Sequence, residues 1–179
     1  MTESLSHTEF WAAYPALYEK AARIQQECFP YSSRDKGALF YALEVCGEIG
    51  ELLNVCKKII RTKDRGKAET LRKSVFPEEA ADCAIALTML AQSREIRPKT
   101  SGCSLPFQGG DIHPLLIDLA NRAAGLYAAA FNDSLAAEDI SSALSPLLAL
   151  SQEMRCDLPG AVNDKLDKIA VRALEKHYD

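Results

Sequence analysis

Histidine and closely paired cysteine are scarce in this sequence. None of its three histidines stands three residues after an acid, so the Glu-x-x-His pairs of di-iron helical bundles are missing. Its six cysteines form no Cys-x-x-Cys pair, which excludes the usual spacing of a structural zinc site. The phosphate-loop motif GxxxxGKS/T, the GxSxG nucleophile elbow and the zinc motif HExxH are absent as well. Several common classes of metal and hydrolytic site are therefore excluded.

Long hydrophobic runs and an excess of positive charge are lacking too. No apolar run reaches the roughly 20 residues that a transmembrane helix needs, so we expect no membrane partner. The formal net charge of −4 gives no support for a nucleic-acid partner. The first ten residues, MTESLSHTEF, have neither a basic start nor an apolar core, so we expect no signal peptide. Because several cysteines fall inside apolar helical patterns, we expect a reduced, cytoplasmic protein.

The apolar residues that are present recur at helical spacing along almost the whole chain. No segment alternates in the manner of a half-buried strand. The predicted helices span residues 7–28, 34–62, 76–92, 113–131, 136–155 and 161–177. The stretch TKDRGKAET after the second helix is predicted to be a polar connection, and residues 97–111 are the longest predicted loop. The sequence therefore predicts an all-α helical bundle that forms a single domain over residues 1–179.

A line of acids runs along the second predicted helix. Glu44, Glu48 and Glu51 fall within about 60° of one another on a helical wheel, and apolar residues cover most of the rest. Gly47 and Gly50 lie beside this line, although a glycine costs a helix interior about 1 kcal/mol relative to alanine. That cost is understandable if another backbone or a ligand approaches closely there. The pattern predicts a site on this face of the helix.

The third predicted helix repeats the acidic pattern. Glu79 and Asp82 are three residues apart and share a face, and Glu78 stands at its edge. If the two helices pack together, four carboxylates converge, and a pair of like charges about 5 Å apart repels by roughly 3 kcal/mol at an effective dielectric of about 20. Such a cluster must protonate, pair with cations or bind a metal, and carboxylates without histidine favour Mg²⁺ or Mn²⁺. Acids that only complement the helix dipole or line a solvated edge are the alternative.

A basic segment joins the two acidic helices. Residues 57–73 contain eight lysines and arginines against two acids, in a chain whose net charge is −4. Phosphates bound to a metal ion need further cations around their remaining oxygens. Lys58 and Arg61, at the end of the acidic helix, are therefore candidates for binding a triphosphate. A solvated loop whose bases complement the C-terminal helix dipole is the alternative.

Together these residues resemble a known family. The segments GEIGELLN (47–54) and EEAADCAIALTMLA (78–91) resemble the all-α nucleoside triphosphate pyrophosphohydrolase superfamily, which includes MazG, the dCTP pyrophosphatases and the dimeric dUTPases. The segment DLPGAVNDKLDK (157–168) resembles the C-terminal part of the MazG-like members. The family pattern of ExxE followed by ExxD maps to Glu48, Glu51, Glu79 and Asp82.

This resemblance implies a fold, an activity and a set of ligands. The implied fold is a MazG-like bundle with about two additional helices, carried by an inserted segment at about residues 96–155. The implied activity is Mg²⁺-dependent hydrolysis of (deoxy)nucleoside triphosphates between the α and β phosphates, giving a monophosphate and pyrophosphate, with Mn²⁺ as an alternative ion. A homo-oligomer, preferably a dimer, is implied as well. The implied metal ligands are Glu48, Glu51, Glu79 and Asp82, and the resemblance places Lys165 near the phosphates.

Two further roles are hypotheses about single residues. Glu44 or Glu48 is the candidate general base, which takes the proton of the attacking water. Eight of the thirteen aromatic residues lie within the first 41 positions, where they offer a stacking surface for a nucleobase, and Trp11 is the first candidate. Aromatic side chains at helical spacing are alternatively part of the core.

Two other functions stay open at the level of the sequence. The segment EEAADCAIALTMLA also resembles the third helix of phosphoribosyl-ATP pyrophosphohydrolase. A non-catalytic helical scaffold is the other possibility, although all four acids of the family pattern are present. Metal binding discriminates between an enzyme and a scaffold, because a scaffold has no need of Mg²⁺.

Overall fold

The computed structural model describes residues 7–28, 36–99 and 111–175, and within these ranges the chain is helical with no strand. The helices are α1 His7–Cys28, α2 Gly37–Arg61, α3 Arg65–Thr70, α4 Phe76–Ser93, α5 His113–Phe131, α6 Ala137–Glu153 and α7 Leu158–Glu175, with a π-helical turn at Leu71–Val75 between α3 and α4. The prediction of an all-α fold is confirmed. Most of the predicted loop at 97–111 lies outside the described residues.

One prediction about the connections was wrong. Residues Arg65–Thr70 were expected to be a polar loop, but they form α3. The carboxylate of Asp64 caps this helix by accepting a hydrogen bond from the Lys67 backbone N–H at 3.1 Å. A Lys73–Glu69 ion pair of 3.0 Å adds local support. Hydrophobic periodicity could not reveal α3, because none of its residues is buried.

The last helix begins three residues earlier than predicted. α7 starts at Leu158, whereas the sequence suggested residue 161. The Asp157 carboxylate accepts a hydrogen bond from the Gly160 backbone N–H at 3.1 Å, which satisfies a free donor of the first turn. Pro159 lies within this first turn, where its missing N–H carries no penalty. The Leu-Pro-Gly segment therefore starts the helix instead of interrupting it.

Helix α4 is the centre of the bundle. It packs against α1, α2, α6 and α7, and its contact with α2 is the most extensive in the described chain. Pro77 and two acids occupy its first turn, as expected for a helix start. Phe76 and Leu87 are fully buried and anchor it in the core. The sequence motif ExxD therefore lies on a helix that packs against four other helices of the described chain.

Helices α5 and α6 complete the core around this pair. α5 packs along α2, and α6 packs on both α4 and α5. Leu119 of α5 and Leu144 of α6 are completely buried in the same hydrophobic cluster as Ile49 of α2. α1 closes the other side through contacts with α7 and α4. None of the helices in the described ranges is long and apolar enough to cross a membrane.

Candidate functional site

Three of the predicted acids meet where α2 packs on α4. Glu48 and Glu51 come from α2 and Glu79 comes from α4, and one carboxylate oxygen of each lies within 4.8 Å of the other two. We call these three residues the glutamate cluster. Glu48 and Glu79 are partly buried, whereas Glu51 is exposed. The cluster therefore has one side in the protein and one side open to solvent.

Burial and mutual repulsion hold protons on this cluster. The pKa of Glu48 rises to about 7, first because the carboxyl group is buried and then because Asp82, Glu51, Glu79 and Glu44 surround it with negative charge. The pKa of Glu79 is raised for the same two reasons, burial first and the neighbouring acids second. Near neutral pH the cluster therefore still carries protons on its carboxyl groups. A cation that bound there would displace a proton.

The fourth predicted acid makes a different contact. Asp82 accepts a hydrogen bond from Lys165 of α7, with 2.5 Å between Oδ2 and Nζ, and the two side chains are only 22% and 19% exposed. Burial raises the pKa of Asp82, and the Lys165 ammonium opposes that rise. Asp82 does not belong to the group of oxygens that defines the glutamate cluster. The sequence analysis gave Asp82 as a metal ligand and Lys165 as a neighbour of the phosphates, and it did not predict that the two side chains pair.

A second ion pair runs parallel to the first. Lys168 of α7 lies 2.8 Å from the Glu78 carboxylate of α4, and this pair is about half exposed. Because the higher-numbered lysine meets the lower-numbered acid, α4 and α7 are antiparallel at this contact. Lys168 is a site neighbour that the sequence analysis missed. The signal was present in the sequence, since two lysines three residues apart match two acids four residues apart.

Glu44 lies at the margin of the site. It is exposed on α2, one helical turn before Glu48. Its charge helps to raise the pKa of Glu48, although four other causes are larger, and it also contributes to the raised pKa of Tyr41 after burial. The structure therefore brings Glu44 near the cluster without placing it in the group of converging oxygens.

Lys58 and Arg61 lie further along α2. Both are exposed. Seven residues separate Lys58 from Glu51, which is a rise of about 10 Å on nearly the same helix face. Arg61 lies about 15 Å along the axis from Glu51 and points about 80° away. Of the three predicted phosphate-binding bases, Lys165 contacts one predicted acid, Asp82, whereas Lys58 and Arg61 lie about 10 and 15 Å along α2 from Glu51.

Trp11 is packed into the core on α1. It is 9% exposed, and its ring meets Phe10 and Tyr14 edge-on at centroid distances of 5.7 and 5.4 Å. This is the arrangement that the sequence analysis gave as the alternative to nucleobase stacking. The aromatic-rich helix α1 therefore packs on α4 and α7. The hydroxyl groups of Tyr14 and Thr88 form a hydrogen bond of 3.2 Å between α1 and α4.

The two glycines beside the acids face open space. A Cβ atom added to Gly47 or Gly50 would meet nothing within 4 Å. The expected close approach of another backbone is therefore not made by any of the described residues. The glycines leave a shallow, uncovered strip of α2 next to the glutamate cluster, and both positions are exposed.

The geometry fits a hard divalent cation. Oxygens that share one Mg²⁺ at about 2.1 Å lie no more than about 4.2 Å apart, so the cluster needs only small side-chain rotations to close around an ion. All donors are carboxylates, which suit Mg²⁺ or Mn²⁺ better than softer metals. The partly exposed position leaves room for phosphate oxygens or water as further ligands.

A broad groove of about 1410 Å³ lies elsewhere on the molecule. It is bounded by the end of α2, the π-helical turn, the start of α4 and the junction of α6 and α7, and Pro77 and Arg155 are part of its lining. Pro77 lies about 200° from Glu79 around the α4 axis, so the groove and the glutamate cluster are on opposite faces of that helix. The groove carries charges of both signs and is not the site defined by the acids.

No protein-family model, curated protein or solved structure matches this chain. The chemistry proposed for the site therefore rests on its own residues. They form a three-carboxylate cluster with a raised proton affinity, and an aspartate–lysine pair lies beside it.

Proposed function

We propose that this protein hydrolyses nucleoside triphosphates between the α and β phosphates, with Mg²⁺ or Mn²⁺ as the metal ion. The observation that carries the proposal is the convergence of Glu48, Glu51 and Glu79 from the ExxE and ExxD helices. The resemblance of these motifs to the all-α nucleoside triphosphate pyrophosphohydrolases supports the same activity. We further propose a cytoplasmic site of action, which the free thiols of the five described cysteines support.

The glutamate cluster would hold the metal ion. When bound, the ion supplies positive charge that offsets the charge of the phosphates and of the three carboxylates. Glu44 or Glu48 is the candidate general base, whichever carboxylate is not fully committed to the metal ion. Glu44 is close enough to tune Glu48 through its charge.

Basic side chains would bind and orient the phosphates. Lys165 already lies at the edge of the acidic site through its contact with Asp82. Lys58 follows on the same face of α2, and Arg61 lies one turn beyond it. A triphosphate that begins at the glutamate cluster and extends toward the end of α2 would approach Lys58 first, and Arg61, which points about 80° away, would have to reorient to reach it. Catalysis would then depend on positioning and charge neutralisation.

A pyrophosphate-release screen tests the activity. The purified protein is assayed with each of the four ribonucleoside and four deoxyribonucleoside triphosphates in the presence of Mg²⁺. We expect release from at least one of them, together with a loss of about 100-fold or more in Glu48→Gln and Glu79→Gln. Glu27→Gln, which changes an exposed acid on α1, is the matched control and should keep full activity. No release from any substrate would contradict the proposal and favour a non-catalytic role.

The homo-oligomer implied by the resemblance stays a prediction. α5 and α6 already cover parts of α2 and α4 in a single chain. The exposed strip of α2, which includes Leu43 at 54% exposure, is one candidate surface for a partner copy. Size-exclusion chromatography with light scattering measures the assembly directly.

A further inference from the structure

The exposed strip of α2 continues past the glutamate cluster to the end of the helix. Six exposed residues of this strip lie within about 100° of one another on the helical wheel, namely Gly47, Gly50, Asn54, Lys57, Lys58 and Arg61. From the first to the last of them the strip is about 21 Å long. It therefore forms an open path that begins beside the three carboxylates and ends among lysines and arginines.

The bases at the end of this path form a concentrated positive surface. Residues 57–68 contain six lysines and arginines and a single acid, Asp64. The six bases are all exposed, and we call them the basic surface: Lys57, Lys58, Arg61, Lys63, Arg65 and Lys67. Asp64 is already engaged, because its carboxylate accepts the backbone N–H of Lys67 at the start of α3. The whole-chain net charge of −4 hides this local excess of positive charge.

The basic surface differs from the bases elsewhere in the described chain. Seven other lysines and arginines pair with a carboxylate, as Arg94 does with Asp133. None of the six residues of the basic surface makes an ion pair with a residue that the structure describes. Helix α3 also buries no residue, so its bases are not needed for packing. A surface of unpaired cations attracts a polyanion.

A free triphosphate does not use this whole surface. Lys58 lies about 10 Å along α2 from Glu51, and Arg61 lies about 15 Å away. Lys63 and the bases of α3 follow beyond the end of the helix, past the phosphates of a triphosphate held at the glutamate cluster. A membrane surface is a poor fit, because α3 has no large apolar side chain to insert between lipids. The geometry therefore favours a chain of phosphates longer than three.

We propose that the site accepts nucleotides with more than three phosphates, such as nucleoside tetraphosphates and dinucleoside polyphosphates. The α-phosphate would lie at the glutamate cluster, and the distal phosphates would lie on the basic surface. The proposal rests on the function proposed above and extends its substrate class. Its support is the continuous open path from the acids to six unpaired bases.

The reaction would be the one already proposed, with a longer leaving group. Water attacks the α-phosphorus, and its proton passes to the general base. The bond from the α-phosphorus to the oxygen that bridges to the β-phosphate breaks, and that oxygen leaves with the bonding electron pair. A nucleoside tetraphosphate would give a nucleoside monophosphate and inorganic triphosphate. A dinucleoside pentaphosphate would give a nucleoside monophosphate and a nucleoside tetraphosphate.

Steady-state kinetics at saturating Mg²⁺ test the dependence on chain length. The nucleoside whose triphosphate reacts fastest in the pyrophosphate-release screen is supplied as its triphosphate, its tetraphosphate and its dinucleoside pentaphosphate, and the monophosphate product is measured by chromatography. We expect KM to fall by about threefold or more with each longer chain, because the added phosphates gain charge-assisted contacts. A KM that stays constant or rises with chain length would contradict the proposal.

A pair of double variants tests the basic surface itself. Lys63→Gln/Arg65→Gln should raise the KM of the pentaphosphate about tenfold and leave that of the triphosphate within about twofold. Arg23→Gln/Lys99→Gln, which changes two exposed bases on α1 and beyond α4, removes the same charge and should leave both values unchanged. Equal effects of the two double variants would overturn the proposal. Circular dichroism checks that both variants remain helical.

Calorimetry in EDTA separates binding from catalysis. The probes are inorganic tripolyphosphate and long-chain inorganic polyphosphate, both without metal. We expect the long chain to bind at least about tenfold more tightly, and Lys63→Gln/Arg65→Gln to lose this preference. Tighter binding of a 5′-hydroxyl oligonucleotide than of polyphosphate would overturn the proposal in favour of a nucleic-acid partner.

The outcomes separate this inference from the function on which it rests. If the unaltered protein releases pyrophosphate from no triphosphate, the proposed function fails and this inference fails with it. If a triphosphate reacts and the longer nucleotides do not, only the inference is overturned. The same holds if polyphosphate binds but the longer nucleotides are not hydrolysed, because the surface then holds free polyphosphate and not a substrate.

Discussion

Glu48 is the residue on which the sequence pattern and the structure agree most closely. Its place in the motif ExxE predicts a carboxylate that faces another helix, and the structure puts it within reach of Glu51 and Glu79. The raised pKa has burial as its largest cause, and the neighbouring acids come second. Both causes disfavour the ionised carboxylate. In the absence of a bound cation, ionised Glu48 therefore destabilises the folded protein.

This destabilisation predicts a pH dependence of stability. Because the folded-state pKa of Glu48 is raised from 4.5 to about 7, the folded protein binds more protons than the unfolded chain between these values. The contribution of Glu48 to the free energy of unfolding is fully present below about pH 4.5 and is lost as the pH rises through about 7. After allowance for solvent screening at this partly exposed group, we expect a loss of about 1–2 kcal/mol between about pH 5 and pH 8. Urea unfolding in EDTA measures it.

Two comparisons isolate the contribution of Glu48. The variant Glu48→Gln should lack this component of the pH dependence and should be more stable than the unaltered protein at pH 8. Glu27→Gln, on the exposed side of α1, should follow the unaltered protein at every pH. A parallel pH dependence in Glu48→Gln and the unaltered protein would show that the carboxylate is not strained.

The residues of the site were predictable to different degrees. Helical spacing predicted that Glu48 and Glu51 share one face of α2 and that Glu79 and Asp82 share one face of α4. It could not predict that Glu79 meets α2 while Asp82 meets Lys165 of α7, because a helical wheel gives a direction but not the identity of the neighbouring helix. Lys165 came from the resemblance to a family, and its contact with Asp82 became visible only with α7 in place.

At the scale of elements, α2 contains two glycines, Gly47 and Gly50, in its interior. Neither Gly47 nor Gly50 is needed for space within the described chain, since a Cβ at either position meets nothing within 4 Å. Neither has a positive φ angle. Their cost to the helix is therefore not offset by any contact that the structure shows.

This predicts that alanine stabilises α2. Gly47→Ala and Gly50→Ala should each raise the free energy of unfolding by about 0.5–1 kcal/mol, because alanine restricts the unfolded chain and fits the helix. Gly37→Ala is the opposing control, since Gly37 has a φ of +67° and an alanine there should cost about 1 kcal/mol. Denaturant titration compares the three. A loss of stability in Gly47→Ala or Gly50→Ala would mean that another part of the protein or a partner copy occupies the strip.

The same glycine variants carry information about the site. If a nucleotide lies along the open strip of α2, the added methyl groups should raise KM while stability increases. If activity is unchanged, the glycines do not contribute to binding. The combination of higher stability with weaker substrate binding would explain why the sequence keeps two residues that weaken its own helix.

Helix α3 shows where element prediction fails. Its residues are almost all polar or charged, so neither periodicity nor composition separates it from a loop. The cap provided by Asp64 was the available signal, and its acceptor role depends on the Lys67 N–H three residues later. By contrast, α4 was predicted well because Pro77, the first-turn acids and the apolar run all indicate the same helix.

At the scale of the whole molecule, α5 and α6 belong to the core. The resemblance implied an insertion at about residues 96–155, and the sequence predicted two helices there. It could not show that α5 would cover α2 or that α6 would cover α4. The ExxE and ExxD helices are thus enclosed by helices of the same chain, which fixes their relative position and hence the geometry of the glutamate cluster.

This packing predicts that the molecule unfolds as one unit. Leu144 of α6 is completely buried, so Leu144→Ala should destabilise the protein by about 2–5 kcal/mol. Trp11, the single tryptophan, lies on α1, which packs on α7 and α4. Its fluorescence should report the same lowered unfolding midpoint as the helical circular dichroism signal, although the change is made on α6. A tryptophan transition that stays in place while the helical signal splits in two would show that α5 and α6 form a separate folding unit, and the site geometry could then not depend on them.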